Sequence, residues 1–100
     1  MESNEEVVQI VISKLITESK RERFVELTSQ MKNWFLAQGG FISYEAYENG
    51  LNLADKIVYK DNESAERINK LFMETDIAKE MLTLVEPDYS SFMGTHIGLG

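Results

Sequence analysis

The amino-acid sequence predicts an α+β domain in which four strands make one antiparallel sheet and two helices cover one of its faces. Three observations carry this. β-Branched or alternating runs occur at residues 7–15, on both sides of Asn49-Gly50 within 41–60, and again at 90–100. Two longer segments repeat apolar residues every three or four positions. The six segments follow the order strand, helix, strand, strand, helix, strand.

The opening run VVQIVISKL is short, β-branched and bounded by polar residues. Val8, Ile10 and Ile12 fall on one face of the strand, and Val7, Gln9, Val11 and Ser13 on the other. The fully apolar face is expected to be the core face. Ser19 followed by Glu22 fits a capping box at the start of the first helix. Phe24, Leu27, Met31, Trp34 and Phe35 form its apolar stripe, and Gly39-Gly40 ends it. Between Phe41 and Lys60, Asn49-Gly50 suits a type I′ hairpin turn. That turn would set Tyr44 opposite Asp55, Ile42 opposite Ile57 and Ala46 opposite Leu53. Asp61 or Asn62 caps a second helix predicted to run to about Val85, with Ile68, Leu71, Phe72, Ala78, Met81, Leu82 and Val85 buried, and Pro87 stops it. In the last strand Met93, Ile97 and Leu99 point one way, and Phe92, Gly94, His96 and Gly98 the other.

One hundred residues suit one domain: a disordered or extended head at 1–6 and a single unit over 7–100. The 43% hydrophobic and 27% charged residues argue against disorder for the bulk of the chain. Ten Lys and Arg against 17 Asp and Glu leave a net charge of −7, a field that repels nucleic-acid phosphates and anionic lipid. The nearest basic cluster, Lys20, Arg21 and Arg23, is ringed by Glu18, Glu22 and Glu26 and reads as a solvated helix face. Absence of cysteine removes disulfides and thiolate chemistry, and one histidine cannot build a histidine-rich metal site. No run approaches the ~20 apolar residues of a membrane span. These features predict a soluble cytoplasmic protein with no nucleic-acid or membrane partner.

With right-handed crossovers, this order of elements interlocks as a ferredoxin-like βαββαβ fold. Val8, Ile10, Ile12, Ile42, Ile57, Met93 and Ile97 are expected beneath the helices. The opposite sheet face would then carry Val7, Val11, Phe41, Tyr47, Val58 and Phe92, with no helix left to cover it. The simplest cover is the same face of a second chain, which makes a homodimer the expected assembly.

The strand VVQIVISKL, the helix start at Arg23-Phe24, the strand GGFISYEAYE and the passage DKIVYKDNESA resemble the antibiotic biosynthesis monooxygenase-like family of the dimeric α+β barrel superfamily, over about residues 7–98. The resemblance implies an oxygenase that uses no metal, flavin or haem and acts on a hydroquinone-like or polycyclic phenol. It also implies a base that helps form the electron-rich phenolate that meets oxygen. The stress-responsive α/β barrel proteins share the layout, so the alternative is a non-catalytic module that binds a small ligand. The haem-degrading relatives' pattern is absent: the first strand has no Asn and the second helix no His.

Such a site needs a dry pocket, a proton acceptor and an aromatic wall. Asp55 and Tyr44 are the candidate catalytic pair, with Trp34, Met31 and Phe35 as substrate wall. The structural alternatives are a simple Tyr44–Asp55 hydrogen bond and a helix stripe that only packs. His96 is the side chain whose ordinary pKa sits nearest neutrality. It is a third catalytic candidate, expected on the inter-sheet side near Gln9 or Ser13, with Ser13 a ligand contact. Its alternative is a strand histidine satisfied by serine or water. Glu45 and Lys56 read as a structural ion pair.

Overall fold

In a computed structural model of the chain, residues 5–99 are described. The expected head therefore lies for the most part outside the described residues. Strands β1 (Val7–Lys14), β2 (Phe41–Asn49), β3 (Asn52–Tyr59) and β4 (Ser90–Thr95) form one sheet in the order β2-β3-β1-β4. Every neighbouring pair is antiparallel. Helices α1 (Arg21–Leu36), α2 (Asn62–Met73) and α3 (Asp76–Leu84) supply the second layer, a ferredoxin-like arrangement with three helices rather than two. Among the described residues no helix is long and apolar enough to cross a membrane.

The expected second helix breaks at Glu74-Thr75. Thr75 donates through Oγ1 to the Phe72 carbonyl at 2.7 Å, closing α2, and accepts from the Ala78 amide at 3.1 Å, opening α3. One hydroxyl thus serves both orphaned ends, so the break needs neither glycine nor proline. Asp61 caps α2 through the Ser64 amide at 2.8 Å, as expected. The expected capping box on α1 does not form: Ser19 lies in a short 3-10 turn (Glu18–Lys20) and its hydroxyl pairs with Thr17. Leu71 and Leu82 stay exposed, and Leu84 is buried instead.

The hairpin turn is Gly50-Leu51, flanked by the pair Asn49 and Asn52. Gly50 has φ 63° while Leu51 keeps a negative φ, the pattern of a type II′ turn with glycine first. Tyr44 accordingly pairs with Ile57 and Ala46 with Asp55, each two residues along β3 from the expected partner. Side-chain parity survives, because moving the turn by one position shifts every cross-strand partner by two residues. A bulge between Phe41 and Ser43 then turns Phe41 under the helices and leaves Ile42 45% exposed, a reversal of the expectation for both. Phe41 stacks on Phe35 with ring centroids 5.4 Å apart and planes 12° from parallel.

The face of β1 is also reversed. Val7 and Gln9 are buried, whereas Ile10 and Ile12 are exposed. Val7, Gln9, Val11 and Ser13 pair with Tyr59, Ile57, Asp55 and Leu53, the helix-facing residues of β3. The buried amide of Gln9 is accommodated there by hydrogen-bond partners on α2, β3 and β4. The outer sheet face therefore carries Val8, Ile10, Ile12, Tyr47, Val58 and Phe92, of which Phe92 is 65% exposed. Met93 pairs with Gln9 but is exposed, and Ile97 lies beyond β4 and is exposed too.

Phe24, Leu27, Met31 and Phe35 form the buried stripe of α1. They meet Tyr44, Leu53, Ile57 and Tyr59 from the sheet and Ala65, Ile68, Met81 and Leu84 from the other helices. Gly40 permits the closure between α1 and β2. Its φ is 98°, and a Cβ there would sit 2.2 Å from Ser64 Oγ.

Candidate functional site

The core is not filled to the mouth. A cavity of about 290 Å³ opens between the helix side of the sheet and the three helices. Gln9, Val11 and Ser13 of β1, Asp55 and Ile57 of β3 and Ser91 of β4 form its floor. Phe24 and Met31 of α1, Asn69, Phe72 and Met73 of α2, and Ala78, Met81 and Leu82 of α3 form its walls, with Val85 and Tyr89 at the chain's return to β4. Most of this lining is apolar, so the few polar groups set what can be held there.

Asp55 is the only charged residue in that lining, and it is 8% exposed. Tyr44 donates its hydroxyl to Asp55 Oδ1 at 2.5 Å, a short contact typical of a charge-assisted bond. No buried side-chain polar atom among the described residues lacks a partner. Asp55 Oδ2 has no hydrogen-bond partner among the described residues, and Asp55 lines the cavity, so this oxygen is available to a ligand there. Burial pushes the Asp55 carboxyl above the usual carboxylate range, and the Tyr44 hydrogen bond opposes that rise in part. The Tyr44 phenol is raised well above its ordinary value by burial and by the neighbouring carboxylate. Tyr44 stays protonated and serves as a donor, not as a base.

A second polar group was not foreseen from the sequence. Tyr59 donates to Gln9 Oε1 at 2.6 Å, and Gln9 Nε2 donates to Asn69 Oδ1 and to Ser91 Oγ, both at 3.0 Å. Asn69 Nδ2 returns bonds of 3.0 Å to Gln9 Oε1, to Tyr59 and to the Ala65 carbonyl. The phenol of Tyr59 is pushed up to about 12 by burial. The Gln9 amide is saturated on both ends by this network. A single Gln among the valines and isoleucines of β1 was the available signal, since a buried amide must find partners.

The sequence-predicted residues divide accordingly. Asp55 and Tyr44 come together, and Met31 and Ser13 line the same cavity. Ser13 does so from the helix side, not from the outer face where it was expected. Trp34 and Phe35 belong to an aromatic cluster outside the lining: Trp34 lies 5.6 Å from Phe35 and 5.4 Å from Phe72, centroid to centroid. His96 lies exposed past the end of β4, whose Thr95 pairs with Val7 at the far end of β1 from Ser13. It is not brought to Asp55, to Gln9 or to Ser13. Glu45 pairs across the strands with Lys56, but its carboxylate accepts from Tyr47 at 2.9 Å.

No protein-family model and no curated protein sequence matches the chain. Solved structures do. SnoaB, a cofactor-independent oxygenase from Streptomyces nogalater, superposes with a TM-score of 0.78 at 13% identity, over 94% of this chain and 95% of its own. A protein from Nitrosomonas europaea, named as a candidate antibiotic biosynthesis monooxygenase, gives 0.75 at 13% identity over 97% and 95%. A conserved protein from Methanosarcina mazei gives 0.72 at 17% identity over 92% and 94%. At such identities the likeness is one of backbone architecture. The chain has the fold of the antibiotic biosynthesis monooxygenases.

Proposed function

We propose that this protein is a cofactor-independent monooxygenase of small aromatic, quinol-like compounds, with Asp55 as the base. The observation that carries the reading is a buried carboxylate, braced by Tyr44, whose free oxygen opens into an apolar cavity. A phenolic ligand in that cavity would give its proton to Asp55. The phenolate is electron-rich enough to pass an electron to dioxygen, and carbon–oxygen bond formation follows. At an activated CH2, as in an anthrone, a hydroperoxide forms and then expels water. One oxygen atom becomes the new carbonyl, and the other leaves with the two hydrogens.

Burial raises the basicity of Asp55, which helps proton transfer, and it keeps water from the phenolate. The carboxylate must be ionised to act. Activity is therefore expected to rise with pH through the elevated Asp55 value. We further propose a cytoplasmic homodimer built through the outer sheet face, where Ile10, Ile12, Tyr47 and Phe92 are exposed together.

Oxygen uptake with a panel of hydroquinones and anthrones tests the enzyme reading. Asp55→Asn should lower turnover by about 10²–10⁴-fold. Tyr44→Phe, which leaves the base in place, should cost less. Silence of the wild type across the panel, with ligand-dependent thermal stabilisation, would favour the non-catalytic module instead.

A further inference from the structure

Asp55 and Ser91 share one partner in the sheet. Val11 pairs with Asp55 on one side and with Ser91 on the other, so the three form a straight row across β3, β1 and β4. All three face the cavity. The row ends in complementary groups. At one end Asp55 Oδ2 is an unfilled acceptor. At the other, Ser91 Oγ accepts from Gln9 Nε2 at 3.0 Å, and its own O–H has no acceptor among the described residues. Because Gln9 is held by Tyr59 and Asn69, the Ser91 lone pair facing it is spent, which leaves the hydroxyl to act as a donor.

We infer that Ser91 is a ligand-positioning residue: its hydroxyl donates to an oxygen at one end of a planar ring whose other end donates to Asp55, with Val11 beneath the ring. This rests on the reading of the cavity as the ligand site and specifies which ligands that site prefers. Two strand spacings separate the Cα atoms of Asp55 and Ser91 by about 10 Å. Two hydrogen bonds of about 2.8 Å leave roughly 4 Å between the ligand's own polar atoms in a straight line, and more when the bonds tilt out of the row. Oxygens on opposite carbons of one six-membered ring stand about 5.5 Å apart, a span the row accepts when each bond tilts by roughly 35°. The preferred class is therefore a ring with a hydroxyl at one end and a carbonyl or second hydroxyl at the other.

The test uses two probes, 4-hydroxyacetophenone and 4-ethylphenol, titrated into the full chain and followed through backbone amide shifts of Val11, Asp55 and Met81. Both probes can donate to Asp55, but only the first can accept from Ser91. Ser91→Ala should weaken 4-hydroxyacetophenone by about fivefold and leave 4-ethylphenol within about twofold. Ser91→Thr, which keeps a hydroxyl on an edge strand, should retain the wild-type preference. Asp55→Asn should weaken both probes by about tenfold or more. Equal effects of Ser91→Ala on the two probes would overturn the role of Ser91 while leaving the cavity as the site. Absence of shifts at these three residues with either probe would overturn both.

Discussion

Removing the Tyr44 hydroxyl should destabilise the protein in a pH-dependent way, because its acceptor is a buried carboxylate. Tyr44 and Asp55 are each 8% exposed, and the bond between them satisfies Oδ1. In Tyr44→Phe the ring packing against Phe35, with centroids 5.9 Å apart, is kept while the donor is lost. Where Asp55 is ionised, losing a hydrogen bond to a charged group costs about 1.5–3 kcal/mol. Where Asp55 is protonated, a neutral bond is lost and the cost falls to about 1 kcal/mol. The sign follows from linkage. Burial already raises the folded-state pKa of Asp55, and the Tyr44 bond is the influence that lowers it. The variant raises it further, so the folded variant holds its proton to higher pH than the unfolded chain. Its deficit relative to wild type should therefore grow as pH rises from the elevated wild-type Asp55 value to the still higher value in the variant, and stay level on either side of that window. Urea unfolding of both proteins at fixed concentration from pH 4.5 to 8.5 measures this. A free-energy deficit growing from about 1 kcal/mol towards about 1.5–3 kcal/mol is expected. A deficit that stays constant across the range, or shrinks towards alkaline pH, would refute a charged Asp55 as the acceptor.

Gly40→Ala should cost at least about 2 kcal/mol by urea unfolding, because a positive φ and a collision with Ser64 act together, whereas Gly50→Ala meets no atom within 4 Å and should cost only about 1 kcal/mol. Phe35→Ala, at a site 2% exposed and in contact with Trp34, Phe41, Tyr44 and Phe72, should cost about 3–5 kcal/mol in the same assay. Phe92→Asp should reduce the mass seen by light scattering from twice 11.5 kDa to 11.5 kDa, and an unchanged mass would remove the outer sheet face as the dimer contact.

The order of the elements, the extent of α1 and the Asp61 cap follow from the sequence alone, because periodicity and capping are local properties. So does the meeting of Tyr44 with Asp55. Strand alternation puts them on one side of the hairpin whichever central pair makes the turn, so the error in register did not separate them. The choice between Asn49-Gly50 and Gly50-Leu51 could not be made locally, since glycine satisfies either turn type. The helix break was legible in principle at Thr75, but a threonine inside a helical pattern is an ordinary residue until its hydroxyl is seen to close one end and open the next.

The facing of β1 belongs to the tertiary structure. Both sides of the strand are rich in valine and isoleucine, and counting apolar residues favours Val8, Ile10 and Ile12 for the interior. The fold places Gln9 inside because Tyr59 and Asn69, distant in sequence, complete its hydrogen bonds, and an amide so satisfied no longer pays the cost of burial. That long-range pairing also carries Ser13 and Ser91 into the cavity and leaves His96 outside it. Local pattern determined what each segment becomes, and contacts across the sheet decided which of its sides meets the helices.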